Sequence, residues 1–240
     1  MNTLQHEISM AFPHLPPRNS QLPVYKFVSR RWLAGFFDSG SVRVGTLHDF
    51  RKIEAHGKSR GDAFEGKSNV VQHVPFADRI EKDTFLSTFF APGSAAQFTN
   101  STFFEKRDFP NSFVFCTSSH FSDDLLLRWH EEEKVDACYE IFDWQGYHAE
   151  ITMKLAPMAD SLGAQYVRYV TGDINGESEQ RHILAPFIKK QEYDWQSEFR
   201  GVWIHKSPSI DVKAACIEIP DARKYCRPFA TLDAGKIQRI

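Results

Sequence analysis

VYKFVSRRWLAGFFDSGSVRVGTL, Val24 to Leu47, carries strand, helix and strand signals in one unbroken run. VYKFV (Val24–Val28) is rich in β-branched and aromatic residues and predicts a short strand. Ser29 follows in the position of a helix N-cap, where a hydroxyl accepts from free backbone N–H groups. Trp32, Leu33, Phe36 and Phe37 recur at i, i+1, i+4 and i+5, one apolar stripe of a helix. Gly40 stands where a left-handed cap ends such a helix. SVRVGTL (Ser41–Leu47) then alternates as a second strand. With further strand candidates downstream, the run predicts an α+β domain.

Outward from this run, residues 1–22, with Pro13, Pro16 and Pro17, read as a loosely held N-terminal arm, and 23–240 as one α+β domain. Residues 51–70, including RGDAFEG (Arg60–Gly66), and residues 92–112 read as long loops. DTFLSTFF (Asp83–Phe90) between them reads as a strand. SFVFCTSS (Ser112–Ser119) is a β-rich run, and SDDLLLRWHEEE (Ser122–Glu133) a capped helix. DACYEIF (Asp136–Phe142), HAEITMKL (His148–Leu155) and AQYVRYV (Ala164–Val170) are strand candidates. HILAPFIKK (His182–Lys190) reads as a short helix, and FRGVWIH (Phe199–His205) and AACIEIP (Ala214–Pro220) as closing strands.

Composition narrows the function classes. Phe occurs 21 times, which suggests a core built on aromatic bulk, and a net charge of −2 gives no global field toward nucleic acid or an anionic membrane. Cys116, Cys138, Cys216 and Cys226 have no CxxC spacing, and no His pair has HExxH spacing, so neither a zinc site nor a disulfide framework is expected. Residues 1–22 lack a basic segment leading into an apolar run, so no signal peptide is expected and a cytoplasmic location is. GxGxxG after a strand is missing.

YDWQSEFR (Tyr193–Arg200), read as the lead-in to a strand, places Gln196 and Glu198 two apart, hence on one face. Such a pair is either a solvated face or part of a cleft. CTSS can end a core strand with its hydroxyls capping the next helix. Trp129 reads as a helix residue packed on the sheet, and Glu131–Glu133 as a solvated turn. The RGDAFEG loop is harder to dismiss, because long polar loops in compact domains are often functional.

Three stretches together resemble a large family of bacterial domains of unknown function: VYKFVSRRWLAGFFDSGSVRVGTLHDF, FVFCTSSHFSDDLLLRWHEEEKVDACYEIFD and FIKKQEYDWQSEFRGVWI. The family's Asn-Asp-Pro-Phe-Glu loop reads GDAFEG here, retaining Asp62, Phe64 and Glu65. The same order of elements is distantly similar to the ADP-ribosyltransferase fold. That resemblance implies two packed, mainly antiparallel sheets around a cleft, with peripheral helices and NAD as substrate. It assigns Tyr25, Lys26 and Phe27 to the first strand motif, Cys116, Thr117 and Ser118 to the second, and Gln196, Ser197 and Glu198 to the third. Lys26 stands where the fold usually carries His or Arg.

Under that resemblance Glu198 accepts from a ribose hydroxyl and opposes the positive charge of an oxocarbenium-like sugar. Gln196 positions the nucleophile, and Glu65 is a second carboxylate for general-base work. Tyr25 and Phe27 wall the nicotinamide, Thr117 and Ser118 shape its pocket, and Lys26 and Arg200 contact ribose or phosphate. The acceptor implied is a protein or a single-stranded nucleic acid. A bacterial toxin or antiphage effector, with a possible antitoxin or inhibitor protein and no membrane partner, is the context implied. A non-catalytic sensor or partner-binding module on the same fold, and an NAD glycohydrolase, remain open as alternatives.

Overall fold

The computed structural model describes residues 23–52, 61–207 and 209–240; the expected arm at 1–22 and Arg60 of the RGDAFEG loop lie outside them. Strand β1 (Val24–Val28), helix α1 (Arg30–Ser39) and strand β2 (Ser41–Thr46) follow the opening run closely. Ser29 occupies the N-cap with extended backbone, but its side chain makes no capping bond; its carbonyl accepts from the N–H groups of Trp32 and Leu33 instead. Gly40 is left-handed at φ 75°. A Cβ there would sit 2.5 Å from the Pro220 backbone, so both the conformation and the close approach require glycine.

A one-turn helix, α2 (Leu47–Phe50), leads to the long strands β3 (Lys67–Arg79) and β4 (Ala95–Asp108), then β5 (Ser112–Ser118) and helix α3 (Asp123–Glu133). The expected loop at 92–112 is therefore largely strand, whereas of the one expected at 51–70 only Lys67–Val70 is strand, 61–66 is a turn region and 53–60 lies outside the described residues. β3 and β4 pair from Lys67↔Asp108 to Arg79↔Ala95. Their polar side chains face solvent while the backbone groups on the facing edges pair across the ladder, so polarity there does not signal a loop. The expected strand at 83–90 is a 3₁₀ turn, Phe85–Thr88, with Phe85 and Leu86 buried against the ribbon.

Next come β6 (Ala137–Ile141), α4 (Trp144–Leu155), β7 (Ala159–Tyr166), β8 (Arg168–Val170) and β9 (Ile174–Asn175). The expected strand at 148–155 is the body of α4. Tyr147, Ile151 and Leu155 are buried at helical spacing, and Asp143 caps the helix by accepting from Gly146 N–H. The expected helix at 182–190 holds one short 3₁₀ turn, Ala185–Phe187, and its last residues form β10 (Ile188–Lys190), because Pro186 breaks the helical ladder. β11 (Glu198–His205), β12 (Ala215–Glu218) and the hairpin of β13 (Cys226–Asp233) and β14 (Lys236–Arg239) complete the chain.

Among the described residues these form one mostly-sheet domain. A nine-stranded sheet runs β12-β2-β5-β1-β6-β13-β14, with β11 on β5 and β7 on β11. All of its strand pairings are antiparallel. The ribbon β4-β3-β9 and the parallel pair β10-β8 are separate. One face of the large sheet packs Phe113, Phe115, Tyr139, Phe199 and Trp203 against α1 and α4. The other face meets α3 around Phe27, Leu125 and Leu126.

Candidate functional site

β5 bears the site because its two edges are used differently. One edge pairs with β11 along its whole length, from Glu198↔Ser118 to Ile204↔Ser112. The opposite edge is shared. β2 takes Val114 and Phe113, while β1 pairs only at Tyr25↔Ser118. Between those two contacts β1 and β2 part, and a cavity of about 300 Å³ opens in the gap. Lys26 reaches the exposed ladder position, donating from Nζ to the Cys116 carbonyl at 2.6 Å while lying 4.5 Å from the Phe115 ring centroid.

All nine residues singled out by the sequence line this cavity: Tyr25, Lys26, Phe27, Glu65, Thr117, Ser118, Gln196, Glu198 and Arg200. They do not all share one face. Register and alternation put Tyr25, Phe27, Ser118, Glu198 and Arg200 on the α3 side of the sheet, and Lys26 and Thr117 on the α1–α4 side. Phe27 stacks on Phe121 at 5.7 Å, and Tyr25 meets the Phe229 edge at 5.0 Å, so both rings already have aromatic partners. The hydroxyls of Thr117 and Ser118 donate to the carbonyls of Phe199 and Gln196, tying β5 to β11 instead of capping α3. The cap of α3 is Ser122, which accepts from Leu125 N–H.

The centre of the α3-side wall is a buried group of four charges. Arg200 Nε donates to Glu198 Oε1 at 2.7 Å, and Arg200 Nη1 donates to Glu65 Oε1 and to the Pro186 carbonyl. Lys189 Nζ donates to Glu198 Oε2 at 2.9 Å and to Gln196 Oε1 at 2.8 Å, and lies 4.0 Å from Glu65. Each of the four is at most 5% exposed. Burial alone would raise the Glu198 pKa, but Arg200 and then Lys189 outweigh it and hold the carboxyl well below its usual range. Burial likewise works to lower the Lys189 pKa, and Glu198 and Glu65 reverse it into a rise. The Cys116 thiol lies beside them, pushed up to about 12 by burial and by Glu198. It is a neutral neighbour at physiological pH, not a thiolate nucleophile.

Two expectations about this wall change. Gln196 and Glu198 are not neighbours on an extended chain. Gln196 ends a 3₁₀ turn, Ser197 is left-handed at φ 42°, and Glu198 begins β11. They meet because Lys189 holds both. Glu198, expected to oppose a developing positive charge, already has two cations bonded to it. Sequence reasoning missed Lys189, which sits in a segment read as helix with no local cue to its partners. It missed Tyr169 as well, whose hydroxyl accepts from Glu198 N–H at 2.8 Å. Glu65 arrives on the GDAFEG loop, which is built from inside: Asp62 accepts from Phe64 N–H, and Arg51 Nε donates to the Glu65 carbonyl. No helix among the described residues is long and apolar enough to cross a membrane.

No family model matches the chain, and neither the curated proteins nor the solved structures contain a significant match to it.

Proposed function

We propose that the gap between β1 and β2 binds NAD, and that the chain is an ADP-ribosyltransferase-like enzyme acting on a macromolecular acceptor. What supports the reading is the meeting of three separate sequence motifs and the GDAFEG loop on one cavity. Its volume lies at the lower end of the roughly 300–1,000 Å³ usual for ligand pockets. Aromatic walls from Trp32, Phe36 and Phe115 stand beside charged and hydroxyl groups, a combination suited to a nucleoside and its phosphates.

In the reaction, the bond between ribose C1′ and the nicotinamide nitrogen breaks, and its electron pair leaves with the ring, which becomes neutral. The sugar passes through an oxocarbenium-like state. An acceptor nucleophile then bonds to C1′ and gives up its proton. Glu198 suits the hydroxyl-binding role because its depressed pKa keeps it ionised. A carboxylate offers about four lone-pair positions, so Arg200 and Lys189 leave room for a ribose hydroxyl. With two cations alongside, Glu198 contributes mainly a fixed acceptor and only a weak net field. Such preorientation counts because the geometry is set before the charge develops. Ser118, having donated to Gln196, keeps oxygen lone pairs for a carboxamide N–H.

Incubation of the pure chain with NAD tests this. Free nicotinamide is expected, falling by about 100-fold or more in Glu198→Gln, with far-UV circular dichroism confirming that the variant is folded. Label carried to protein or RNA separates a transferase from a glycohydrolase. The compensated state of Glu198 also favours a second reading, a non-catalytic binding module; NAD that raises the melting temperature without turnover would establish it. A chain that neither releases nicotinamide nor is stabilised by NAD overturns both.

A further inference from the structure

Among the described residues the β3–β4 ribbon has the longest ladder, and β4 pairs on one side only. A strand of 14 residues spans on the order of 45 Å, so the open edge is extensive. Natural edge strands are usually short, charged, interrupted by proline or covered. From Thr84 to Phe104 there is no charged residue, and Phe85, Phe89, Phe90, Phe98, Phe103 and Phe104 all fall within that stretch. The register slips between Ala77 and Arg79, opposite the start of β4, and Asn100 is left-handed at φ 49°. Beyond it, Ser101–Asp108 pairs with Val74–Lys67 without a register shift. Phe104, on the outer face of this regular half, is 52% exposed.

We propose that β4 pairs antiparallel with β4 of a second copy of this chain, about a two-fold axis at Phe104. An unpaired strand edge is a template for another strand, whose alternating N–H and C=O groups match its own. The charge pattern selects the chain itself as that strand. β4 carries its charges at Glu105, Lys106, Arg107 and Asp108, immediately after the uncharged run. A two-fold axis at Phe104 sets Glu105 opposite Phe103 of the partner subunit, Lys106 opposite Thr102 of the partner subunit and Arg107 opposite Ser101 of the partner subunit. No like charges meet, so the repulsion that normally blocks self-pairing is missing. The same register places the two Phe104 rings directly across from each other on the outer face, the aromatic pair that stabilises antiparallel ladders. The two ribbons become one sheet, and the most exposed ring of the regular half is covered. None of this depends on NAD binding.

Sedimentation of the full chain over a concentration series tests the pairing. A dimer is expected, and Phe104→Lys, which sets two ammonium groups across the axis, should raise its dissociation constant at least about tenfold. Phe76→Lys, on neighbouring β3 and 59% exposed, should leave it unchanged. In a Cys216→Ser background, Phe104→Cys should oxidise to a disulfide-linked dimer and Phe76→Cys should not. Both lysine variants alter exposed positions, so the fold is not at risk. The proposal is overturned by a chain that stays monomeric to about 100 µM, by a dimer indifferent to Phe104→Lys, or by one weakened equally by Phe76→Lys.

Discussion

The β5–β11 wall and the β3–β4 ribbon distribute polarity in opposite ways. The wall buries Glu65, Lys189, Glu198 and Arg200 almost completely, whereas the ribbon has no charge from Thr84 to Phe104 and leaves Phe76 and Phe104 in solvent. Charge inside is costly to desolvate and is retained only where every group is paired. Aromatic surface outside costs little to the isolated fold and marks a place to be covered. The contrast assigns different jobs to the two regions: fixed geometry at the cleft, and association at the ribbon.

The sharpest way to break that contrast is to remove one member of the buried group. Arg200→Met leaves Glu65 and Glu198 sharing Lys189 alone, and should cost about 3–5 kcal/mol in urea unfolding. Phe104→Met on the ribbon should change the same measurement by less than about 0.5 kcal/mol. A similar small loss for both would mean that the cleft wall is not held by its charges.

The next largest effect lies behind the wall. His148 stacks on Trp203 at 4.9 Å between Ser161 and Thr152, and burial lowers its pKa to about 4. An unfolded histidine takes its proton near pH 6.5, so the unfolded state binds more protons below that point. Stability is therefore full above about pH 6.5 and falls as pH drops toward about 4, by about 3 kcal/mol in all. His148→Phe keeps a ring on Trp203 and should flatten the wild-type slope over that window. An unchanged slope would place the acid sensitivity elsewhere.

How far the sequence could be read follows the same division. The run from Val24 to Leu47 declared its strand, cap and strand because each depends on local preference: β-branched residues, an apolar stripe and a left-handed glycine. Gly40→Ala should accordingly cost about 1–3 kcal/mol, since Pro220 leaves no space for a Cβ. Seven of the nine candidate residues lie on β1, β5 and β11, where strand preference is local, and Glu65 and Gln196 join them from turns. What failed depended on distance. HAEITMKL alternates over eight residues, and only Trp144 and Tyr147 upstream reveal the helical period. β4 reads as loop because neither of its faces is fully buried. Lys189 has no local signal, since its partners lie seven and nine residues on and at Glu65 far upstream.

The smallest effect expected is at Lys26, and it bears most directly on the cleft. Lys26→Met keeps a stem of similar length over Phe115 but removes the donor to the Cys116 carbonyl, a loss of about 1–2 kcal/mol for a charge-assisted bond. Lys26→Arg, which retains a donor, should lose less. If the bond helps hold β1 at the gap, hydrogen exchange at the Tyr25 and Phe27 amides should quicken in Lys26→Met while Arg43 on β2 stays protected. If the ammonium also contacts a bound nucleotide, NAD should stabilise Lys26→Met far less than wild type, beyond what the change in folding stability accounts for. Equal stabilisation of the two proteins would leave Lys26 as the clasp of a split sheet and remove it from the ligand's binding set.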